Sequence, residues 1–401
     1  MRILALNLYY PPDTSATAKM AAALLGPLAA KHQVTLVCGR PSYDPTERRR
    51  WRLWQTERQR DVTVIRVGST DYPRSQMARR VFNYLSYVAL SVPRALFQPC
   101  DVILAMTDPP FEGIVGAFVA LLKRKPFVYN IRDMYPDMAL GGSIVAPGLM
   151  ARVWEKLHRW ALRRAATVIV LGEDMRARIV GKGIDANRVA IVRDGVDIAA
   201  QPDTSPEIDP QVISAIRSNF RFVLLHAGNL GFYGAWETLL AAARELERDG
   251  VGLVFVGDGA QRERLQSEAQ ASTNVRFLPF FPANKISSVL AAADAHIITI
   301  KKGLEGVVVP SKIYGILAAG RPILAVAPMQ TDVAALSLRQ NFGIATNPDN
   351  PAELASAVRA LVAAPARVAA MAAAALQAAT HYTRAGEIRK FTQIIEDASN
   401  L

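Results

Sequence analysis

The chain has 401 residues, of which 51% are hydrophobic and 20% charged, so it can bury two domain cores and is not intrinsically disordered. Its formal net charge of +12 calls for an acidic partner or another explanation, and the candidate partners are nucleic acid, anionic lipid and phosphorylated substrates. Two cysteines, Cys38 and Cys100, are too few for a disulfide framework and suit a reducing cytosol.

Short apolar runs alternate with amphipathic helical stretches along the whole chain. The strands predicted in the first half are Arg2–Asn7, Gln33–Cys38, Val62–Val67, Val102–Met106, Phe127–Ile131 and Thr167–Leu171. The strands predicted in the second half are Phe222–His226, Gly252–Val256, Val275–Leu278, Ala295–Ile300 and Ile323–Ala327. The helices predicted between them include Ala16–Lys31, Ala235–Arg248, Ala260–Ala271 and Lys285–Ala293. This alternation predicts parallel sheets with helices on both faces.

The apolar pattern lapses between Val196 and Pro210, in a segment that ends in QPDTSPEIDP. We therefore predict an α/β protein with two doubly wound Rossmann-like domains, residues 1–197 and 198–380, that face each other across a cleft. The Ala-rich run Ala352–Ala379 predicts a helix, and residues 381–401 predict a last helix able to cross back to the first domain. Ligands of such sheets bind beyond the carboxyl ends of the strands.

The first half carries a basic segment, Arg48–Arg60, in which Trp51 and Trp54 are interleaved with arginines, and an amphipathic run, Arg79–Phe97. This composition suits a membrane interface, although a solvated loop has the same composition. No apolar stretch reaches the roughly 18–20 residues that span a bilayer, and the N-terminus lacks the features of a signal peptide. We therefore expect a cytoplasmic protein that associates peripherally with an anionic inner-membrane surface.

Glycine-rich loops follow two predicted strands of the second half. Gly228-Asn229 comes after the first of them, and Gly257-Asp258-Gly259 comes after the second. Glycine lets the backbone approach a ligand, but a single loop of this kind serves packing as often as binding. With the loop after Ala295–Ile300, three loops meet at one edge of the sheet, which favours a nucleotide site.

The third loop begins the most informative segment, EGVVVPSKIYGILAAGRP, residues 305–322. Ser311 is placed to cap a short helix, and Gly320 is placed to end it in a left-handed turn. A helix N-terminus favours an anion, and Lys312 in the first turn opposes the helix dipole unless a bound phosphate compensates it. Glu305 can accept hydrogen bonds from sugar hydroxyls. The segment therefore predicts a ligand with a diphosphate and a sugar.

Motifs of the first half complete a pattern of a known family. They are Tyr9-Tyr10-Pro11-Pro12, Thr107-Asp108-Pro109-Pro110-Phe111, Arg132-Asp133-Met134-Tyr135-Pro136-Asp137 and Asp194-Gly195-Val196-Asp197. Together with V-P-S-K-I-Y…A-A-G-R-P, they resemble the GT-B fold retaining glycosyltransferases of family 4, within them the bacterial colanic-acid and O-antigen (FucNAc-transferase-like) group. The resemblance covers nearly the whole chain. It implies transfer of a sugar, such as an N-acetylated hexosamine, from a nucleotide-diphosphate sugar such as a UDP-sugar to a polyprenyl-diphosphate-linked saccharide in surface polysaccharide or lipopolysaccharide biosynthesis.

The resemblance also implies a donor site in the second half. Its residues would be Gly228, Asn229, Gly257, Val308, Val309, Ser311 and Lys312. Glu305 stands where the family's first glutamate contacts the donor sugar, whereas the glutamate that usually holds the ribose falls at Gly315. The family's diphosphate-binding Gly-Arg pair appears as Gly228-Asn229, so Lys312 is the candidate for the missing charge.

The acceptor side and the mechanism follow from the same resemblance. The acceptor-binding residues would be Tyr10, Pro11, Asp108, Arg132, Asp133 and Tyr135. The resemblance implies front-face attack, in which the leaving phosphate takes the acceptor proton and Glu305, Lys312 and Asp133 assist. A structural Arg132–Asp133 pair is the equally weighted alternative for Asp133. Because no Asp-x-Asp occurs and the five histidines show no ligand spacing, we expect no metal and no cofactor.

Two other classes of function stay open. A nucleotide-sugar epimerase-like enzyme of the same fold would require pairs of catalytic carboxylates or histidines in one cleft, where the sequence offers Glu305. A nucleic-acid-binding protein would require surfaces of stacked aromatic and basic residues, which the second half lacks. The sequence therefore favours a glycosyltransferase, with a nucleotide sugar, a lipid-linked saccharide and an anionic membrane as partners, and no nucleic acid.

Overall fold

The computed structural model describes residues 1–41, 51–72, 77–142, 145–197 and 208–400. They form two α/β units, each built on one sheet, whose carboxyl edges face each other across a cleft. The predicted fold class is therefore confirmed.

The first sheet has eight strands in the order β3-β4-β2-β1-β5-β6-β7-β8. Their bounds are β1 Arg2–Leu6, β2 Gln33–Gly39, β3 Trp54–Gln59, β4 Val62–Val67, β5 Val102–Ala105, β6 Phe127–Asn130, β7 Thr167–Val170 and β8 Val189–Ile191. All pairs are parallel except β3 with β4, which is antiparallel. The central strands are buried on both faces, which explains their continuous runs of Leu, Ile and Val.

Two strands of this sheet, β3 and β8, were not predicted from the sequence. Trp54–Gln59 falls in the basic segment for which we weighed a membrane interface and a solvated loop, and the loop alternative is wrong for these six residues. The strand lies at the edge of the sheet, so its exposed and half-exposed side chains can be polar. Val189–Ile191 has only three residues, too few for a periodic pattern. Arg48, Arg49 and Arg50 lie outside the described residues.

Six helices of the first unit lie in the described ranges. They are α1 Ala16–Ala29, α2 Met77–Leu96, α3 Glu112–Lys123, α4 Asp137–Gly141, α5 Leu149–Arg164 and α6 Glu173–Gly181. The helix α1 begins after Ser15, whose Oγ accepts the Ala18 N–H at 3.1 Å. One face of the sheet packs against α2, α3 and α5, and the opposite face packs against α1.

The second sheet has six parallel strands in the order β11-β10-β9-β12-β13-β14. Their bounds are β9 Phe222–Ala227, β10 Val251–Val256, β11 Val275–Leu278, β12 Ala295–Thr299, β13 Ile323–Val326 and β14 Gly343–Thr346. The helices of this part are α7 Pro210–Arg217, α8 Trp236–Glu245, α9 Arg262–Glu268, α10 Ile286–Ala291, α11 Lys312–Ala318, α12 Asp332–Arg339, α13 Pro351–Val362 and α14 Pro365–His381. The edge strand β14, only four residues long, was not among the predicted strands.

The C-terminal region differs from the single Ala-rich helix that we predicted over Ala352–Ala379. It forms α13 and α14, which are bent by 96° at a break before Pro365. A last helix, α15 Arg384–Ala398, packs against α1 and buries Phe391 and Ile395 in the core of the first unit. Within the described ranges no single helix is long and apolar enough to cross a membrane, and α13 with α14 meets that test only as a bent pair, by length and composition.

Candidate donor and acceptor site in the cleft

Each sheet has a point where the strand order reverses, and the two points define the cleft. In the first sheet the reversal lies between β1 and β5, and in the second it lies between β9 and β12. The loops after such strands diverge and open a crevice at the carboxyl edge. The loops at the first point contain Pro11 and Asp108, and those at the second contain Gly228 and Glu305. The fold thus brings predicted donor and acceptor loops to corresponding places in the two units.

Direct contacts join the two edges. The Met134 N–H donates to the Val307 carbonyl at 3.3 Å, and Nη1 of Arg178 donates to the Glu305 carbonyl at 2.8 Å. Gly306 has a φ of +66°, and a Cβ on it would lie 2.4 Å from the Asp174 carbonyl oxygen. Only glycine therefore lets the Glu305 loop approach α6 so closely.

A cavity of about 220 Å³ lies between the two units. It is lined by Met138, Gly142, Asn229, Gly231, Phe232, Tyr233, Ala260, Leu304, Val307 and Val308. Asn229 and Val308 are predicted donor residues that line the cavity. Val309, also predicted, packs like Val308 against the hydrophobic core but is not part of the cavity lining. Phe232, Tyr233 and Leu304 were not predicted as lining residues. Isolated apolar and aromatic residues show no sequence spacing that distinguishes the wall of a cavity from a hydrophobic core.

The glycine-rich loops pack against each other. Gly228 and Gly257 have φ values of +141° and +145°, and a Cβ on Gly257 would lie 2.0 Å from the Gly228 carbonyl oxygen. The Gly228 N–H donates to the Val256 carbonyl at 2.9 Å, so it is already used within the fold. A Cβ on Gly228 itself would meet only Cδ of Lys312, at 4.0 Å. Gly257 therefore serves close packing, and Gly228 leaves open space beside Lys312.

Lys312 is held at the base of this open space by His226. Its Nζ donates to Nδ1 of His226 at 2.9 Å, and the imidazole lies edge-on to Trp236 with ring centroids 4.9 Å apart. Burial lowers the pKa of Lys312 to about 7. Burial, followed by the charge of Lys312, lowers the pKa of His226 well below its usual range. His226 is therefore a neutral acceptor that positions an amine whose charge is easily changed near neutral pH.

The segment around Lys312 corrects one prediction. Ser311 lies immediately before α11, but it has helical φ and ψ, is exposed and makes no capping hydrogen bond, so its predicted capping role is wrong. Gly320 ends the helix with a φ of +60°, as expected. Gly315 lies within α11 and its hypothetical Cβ would contact only Leu290, so no carboxylate occupies the place of the family's ribose-binding glutamate.

Glu305 is half-buried beside the cleft. Its Oε1 accepts the Gly303 N–H at 3.1 Å, and its backbone carbonyl is held by Arg178 of the first unit. One carboxylate oxygen is thus tied to its own loop. The loop position of Glu305 is fixed from both units.

The surroundings of Asp133 make its carboxyl group harder to ionise than usual. Burial, and then the charge of Asp108, raises its pKa to about 6, although Arg132 acts in the opposite direction. The guanidinium of Arg132 forms its ion pair with Asp194 and not with Asp133, so the structural Arg132–Asp133 pair is not the arrangement found. Burial raises the pKa of Tyr233 in the opposite unit, and the charge of Asp133 raises it further by a smaller amount. The charge of Asp133 therefore acts on the donor side of the cleft.

The other predicted acceptor residues differ in how far their side chains are exposed and in what they contact. The Tyr10 side chain is only 3% exposed and packs into the core with Cys38, so it offers no surface to an acceptor. The Pro11 carbonyl accepts a hydrogen bond from the Arg66 guanidinium. Tyr135 is half-buried and stacks on Trp154, with ring centroids 5.9 Å apart.

Among the described residues no group of three or more His, Cys, Asp and Glu side chains could hold a metal ion.

An ion pair between the units was not predicted. Nη2 of Arg193 donates to Oδ1 of Asp332 at 3.0 Å, and the Asp332 N–H donates to the Asp174 carboxylate at 3.0 Å. These bonds connect the end of the first unit with α12 of the second. Arg193 directly precedes the Asp194–Asp197 motif. This position is the one feature of the sequence that could have pointed to a role of Arg193 in joining the two units.

Comparison with known proteins agrees with this geometry. The model of the glycosyl transferase 4-like domain matches residues 15–195, and that of glycosyl transferases group 1 matches residues 221–364. WcaI of Escherichia coli (strain K12), a protein assigned to colanic acid biosynthesis as a glycosyl transferase, is 22% identical over 373 residues, covering 90% of this chain and 91% of WcaI.

Solved structures share the fold. HepE of Anabaena, determined in complex with UDP-glucose, is 19% identical, with 99% of this chain and 100% of HepE covered and a TM-score of 0.67. WaaG, a glycosyltransferase involved in lipopolysaccharide biosynthesis, is 16% identical, with 98% and 99% covered and a TM-score of 0.66.

The two facing α/β units and the two matched domains define a glycosyltransferase of the GT-B fold. Within that class, the chain belongs to glycosyltransferase family 4. The family predicted from the motifs of both halves is confirmed.

Proposed function

We propose that this glycosyltransferase is a retaining, metal-independent enzyme that takes a sugar, such as an N-acetylated hexosamine, from a UDP-sugar. The observation that carries the proposal is the position of Lys312. Its amine lies beside open space at the point where the second sheet reverses its strand order, and His226 fixes it there. A cation in a low-dielectric setting stabilises the charge that develops on a departing diphosphate.

The reaction breaks the bond between the anomeric carbon and the diphosphate oxygen and forms a bond from that carbon to an acceptor hydroxyl oxygen on the same face. The acceptor proton passes to the departing phosphate oxygen. Glu305 accepts hydrogen bonds from donor hydroxyls, and Asp133 orients the acceptor hydroxyl from across the cleft. No step requires a metal ion, because Lys312 supplies the positive charge.

The acceptor in this proposal is a polyprenyl-diphosphate-linked saccharide, and the pathway is the synthesis of a surface polysaccharide. The assignment of WcaI to colanic acid biosynthesis supports this choice. The enzyme would work in the cytoplasm, bound peripherally to the anionic inner membrane. The net charge of +12 supports such binding, as do Trp51 and Trp54, which are 57% and 54% exposed.

The test is to incubate the purified chain with a panel of nucleotide sugars, with and without a lipid-linked saccharide, and to measure nucleoside diphosphate release. We expect release from one nucleotide sugar, dependent on the acceptor and unaffected by EDTA. Conversion of the nucleotide sugar to its epimer without release of nucleoside diphosphate would contradict the proposal and support the epimerase alternative.

A further inference from the structure

One surface of the first unit carries nearly half of the large hydrophobic side chains that are exposed in the described ranges. This surface, here called the helical face, is the outer side of α2, α3 and α5. On α5, Leu149 is 76% and Met150 is 79% exposed. Single exposed apolar residues are ordinary, but a concentrated patch marks an interaction site. The residues that define the patch are Phe82 and Leu85 on α2, Phe118 and Leu121 on α3, and Leu149 and Met150 on α5.

The three helices form one continuous surface. The helix α3 packs against both α2 and α5, and all three bury their inner sides in the same core over the sheet. Nζ of Lys123, the last residue of α3, donates to the Leu96 carbonyl of α2 at 2.8 Å. The exposed apolar side chains of the three helices therefore lie on the same side of the molecule.

Positive charge lies beside this apolar surface. Arg152, Lys156, Arg159 and Arg163 recur at intervals of four, three and four residues, which places them along one flank of α5. They line a groove of about 660 Å³ together with Leu140 of α4. Gly142, two residues further along the chain, lines the cleft cavity, so the groove lies beside the cleft.

Acidic residues scarcely offset this charge. The sequences of the three helices contain only two carboxylates, Glu112 and Glu155. Glu112 is fully buried, and Glu155 accepts hydrogen bonds from Lys182 and Arg159. Arg159 is thus paired with Glu155, whereas within the described ranges Arg152, Lys156 and Arg163 form no ion pair. The surface therefore places apolar side chains next to three cations without a carboxylate partner in those ranges.

We propose that the helical face docks the enzyme on an anionic lipid bilayer. The apolar side chains enter the headgroup region, and the basic flank of α5 contacts lipid phosphates. A second copy of the chain fits this surface poorly, because a symmetric contact would bring like charges together. This inference rests on the proposed function, which it deepens by naming the surface that brings a lipid-linked acceptor to the cleft.

The basic segment of the edge strand has a different position. Trp51 is fixed by a hydrogen bond from its Nε1 to the Gly68 carbonyl at 2.9 Å. It lies near β3 and β4 at one edge of the sheet, whereas the helical face covers one side of it. We therefore assign the main attachment to the helical face.

The test is co-sedimentation of the full chain with vesicles of phosphatidylcholine alone and of phosphatidylcholine with phosphatidylglycerol. The test variant combines Arg152→Ser, Lys156→Ser and Arg163→Ser. The control removes the same charge from exposed positions elsewhere, with Arg339→Ser, Arg367→Ser and Arg389→Ser. We expect the test variant to bind anionic vesicles at least about tenfold more weakly than the parent chain, and the control to change less than about threefold.

A second variant, Phe118→Ser with Met150→Ser, tests the apolar part and should weaken binding at a salt concentration that screens the charges. Transfer to a water-soluble acceptor analogue, measured in parallel, should be the same for both variants as for the parent chain. Vesicle binding that persists without any transfer would overturn the proposed function but support the docking surface. Equal binding of the test and control variants, equal binding to neutral vesicles, or a dimer abolished by the test variant would overturn the docking surface.

Discussion

Lys312 is a half-buried amine that we propose as an anion site. Its pKa of about 7 means that burial leaves it about half protonated at neutral pH, and His226 accepts its hydrogen bond without adding charge of the opposite sign. A diphosphate would restore the charge by an ion pair in a low-dielectric setting. His226 fixes the amine in the absence of a ligand.

The substitution Lys312→Ala should weaken UDP binding by more than about tenfold, since a charge-assisted hydrogen bond contributes about 1.5–3 kcal/mol. Calorimetric titration measures the affinity, and EDTA should leave it unchanged for the parent chain. Lys302→Ala, at an exposed position outside the helix, is the matched control. Unchanged affinity of Lys312→Ala, or affinity that depends on added magnesium, would contradict the assignment.

The affinity for UDP should also depend on pH. In the free protein Lys312 loses its proton as the pH rises through about 7. A bound diphosphate would raise the pKa of Lys312 and keep its amine protonated over this range. Affinity should therefore fall by about tenfold between pH 7 and pH 8.5. Lys312→Arg, whose guanidinium stays charged, should remove most of this dependence. Equal pH profiles of the two proteins would show that Lys312 does not titrate with binding.

Asp133 illustrates a cost in stability at a candidate catalytic position. Its folded-state pKa of about 6 lies above the ordinary value of 3.8, so the folded chain binds more protons than the unfolded chain between these values. The contribution of Asp133 to the free energy of unfolding therefore falls as the pH rises through this window and stays unfavourable above it.

Asp133→Asn should accordingly raise the thermal unfolding midpoint at pH 7.5, by about 1–2 °C for each 1 kcal/mol relieved in a chain of this length. The gain should be much smaller at pH 4, where the carboxyl group is largely protonated in the folded protein. Transfer activity should fall, because the amide cannot replace a carboxylate that orients a hydroxyl. A variant that is destabilised at pH 7.5 would indicate that the charge of Asp133 is compensated in the fold.

At the scale of single elements, the contact between the glycine-rich loops explains two glycines that sequence alone left ambiguous. Gly257→Ala would add a Cβ 2.0 Å from the Gly228 carbonyl oxygen in addition to the cost of its φ of +145°. We expect the variant to be destabilised by about 1–3 kcal/mol and to bind UDP more weakly, because the Gly228 loop must move.

The matched control is Gly183→Ala, which has a φ of +86° but no atom within 4 Å of the added Cβ. Gly183→Ala destabilises the backbone conformation because of the positive φ, but its added Cβ meets no other atom. Gly183 also lies in the first unit, away from the glycine-rich loops. Urea unfolding and UDP titration of both variants separate the two effects. Equal losses of affinity would show that the contact between the loops does not shape the nucleotide site.

The elements that sequence predicted are those whose burial dictates their composition. The strands β1, β2, β5 and β10 have runs of Leu, Ile and Val because helices cover both of their faces. Three of the four edge strands, β3, β8 and β14, were not predicted, because they are polar or short and carry no marked propensity or periodicity. The fourth, β11, is also short but was predicted, because three of its four residues are apolar.

At the scale of the whole molecule, the loops that border the cleft could be predicted from the sequence, but the contacts that assemble the cleft could not. Arg178 and the Glu305 carbonyl are separated by 127 residues, and Arg193 and Asp332 by 139. Contacts of this kind depend on how two complete units meet, and no local pattern encodes them. The burial of Tyr10 and the absence of a capping bond at Ser311 were not foreseen for a related reason, because a motif position does not determine whether a side chain faces the cleft, the core or solvent.

The most direct test of the account is a crystal structure of the chain with UDP. We expect the diphosphate in the open space beside Gly228, with a phosphate oxygen within hydrogen-bonding distance of Nζ of Lys312 and no metal ion between them. The uridine should lie against the second unit. A diphosphate bound elsewhere, or held through a metal ion while Lys312 keeps its bond to His226 alone, would contradict the central claim.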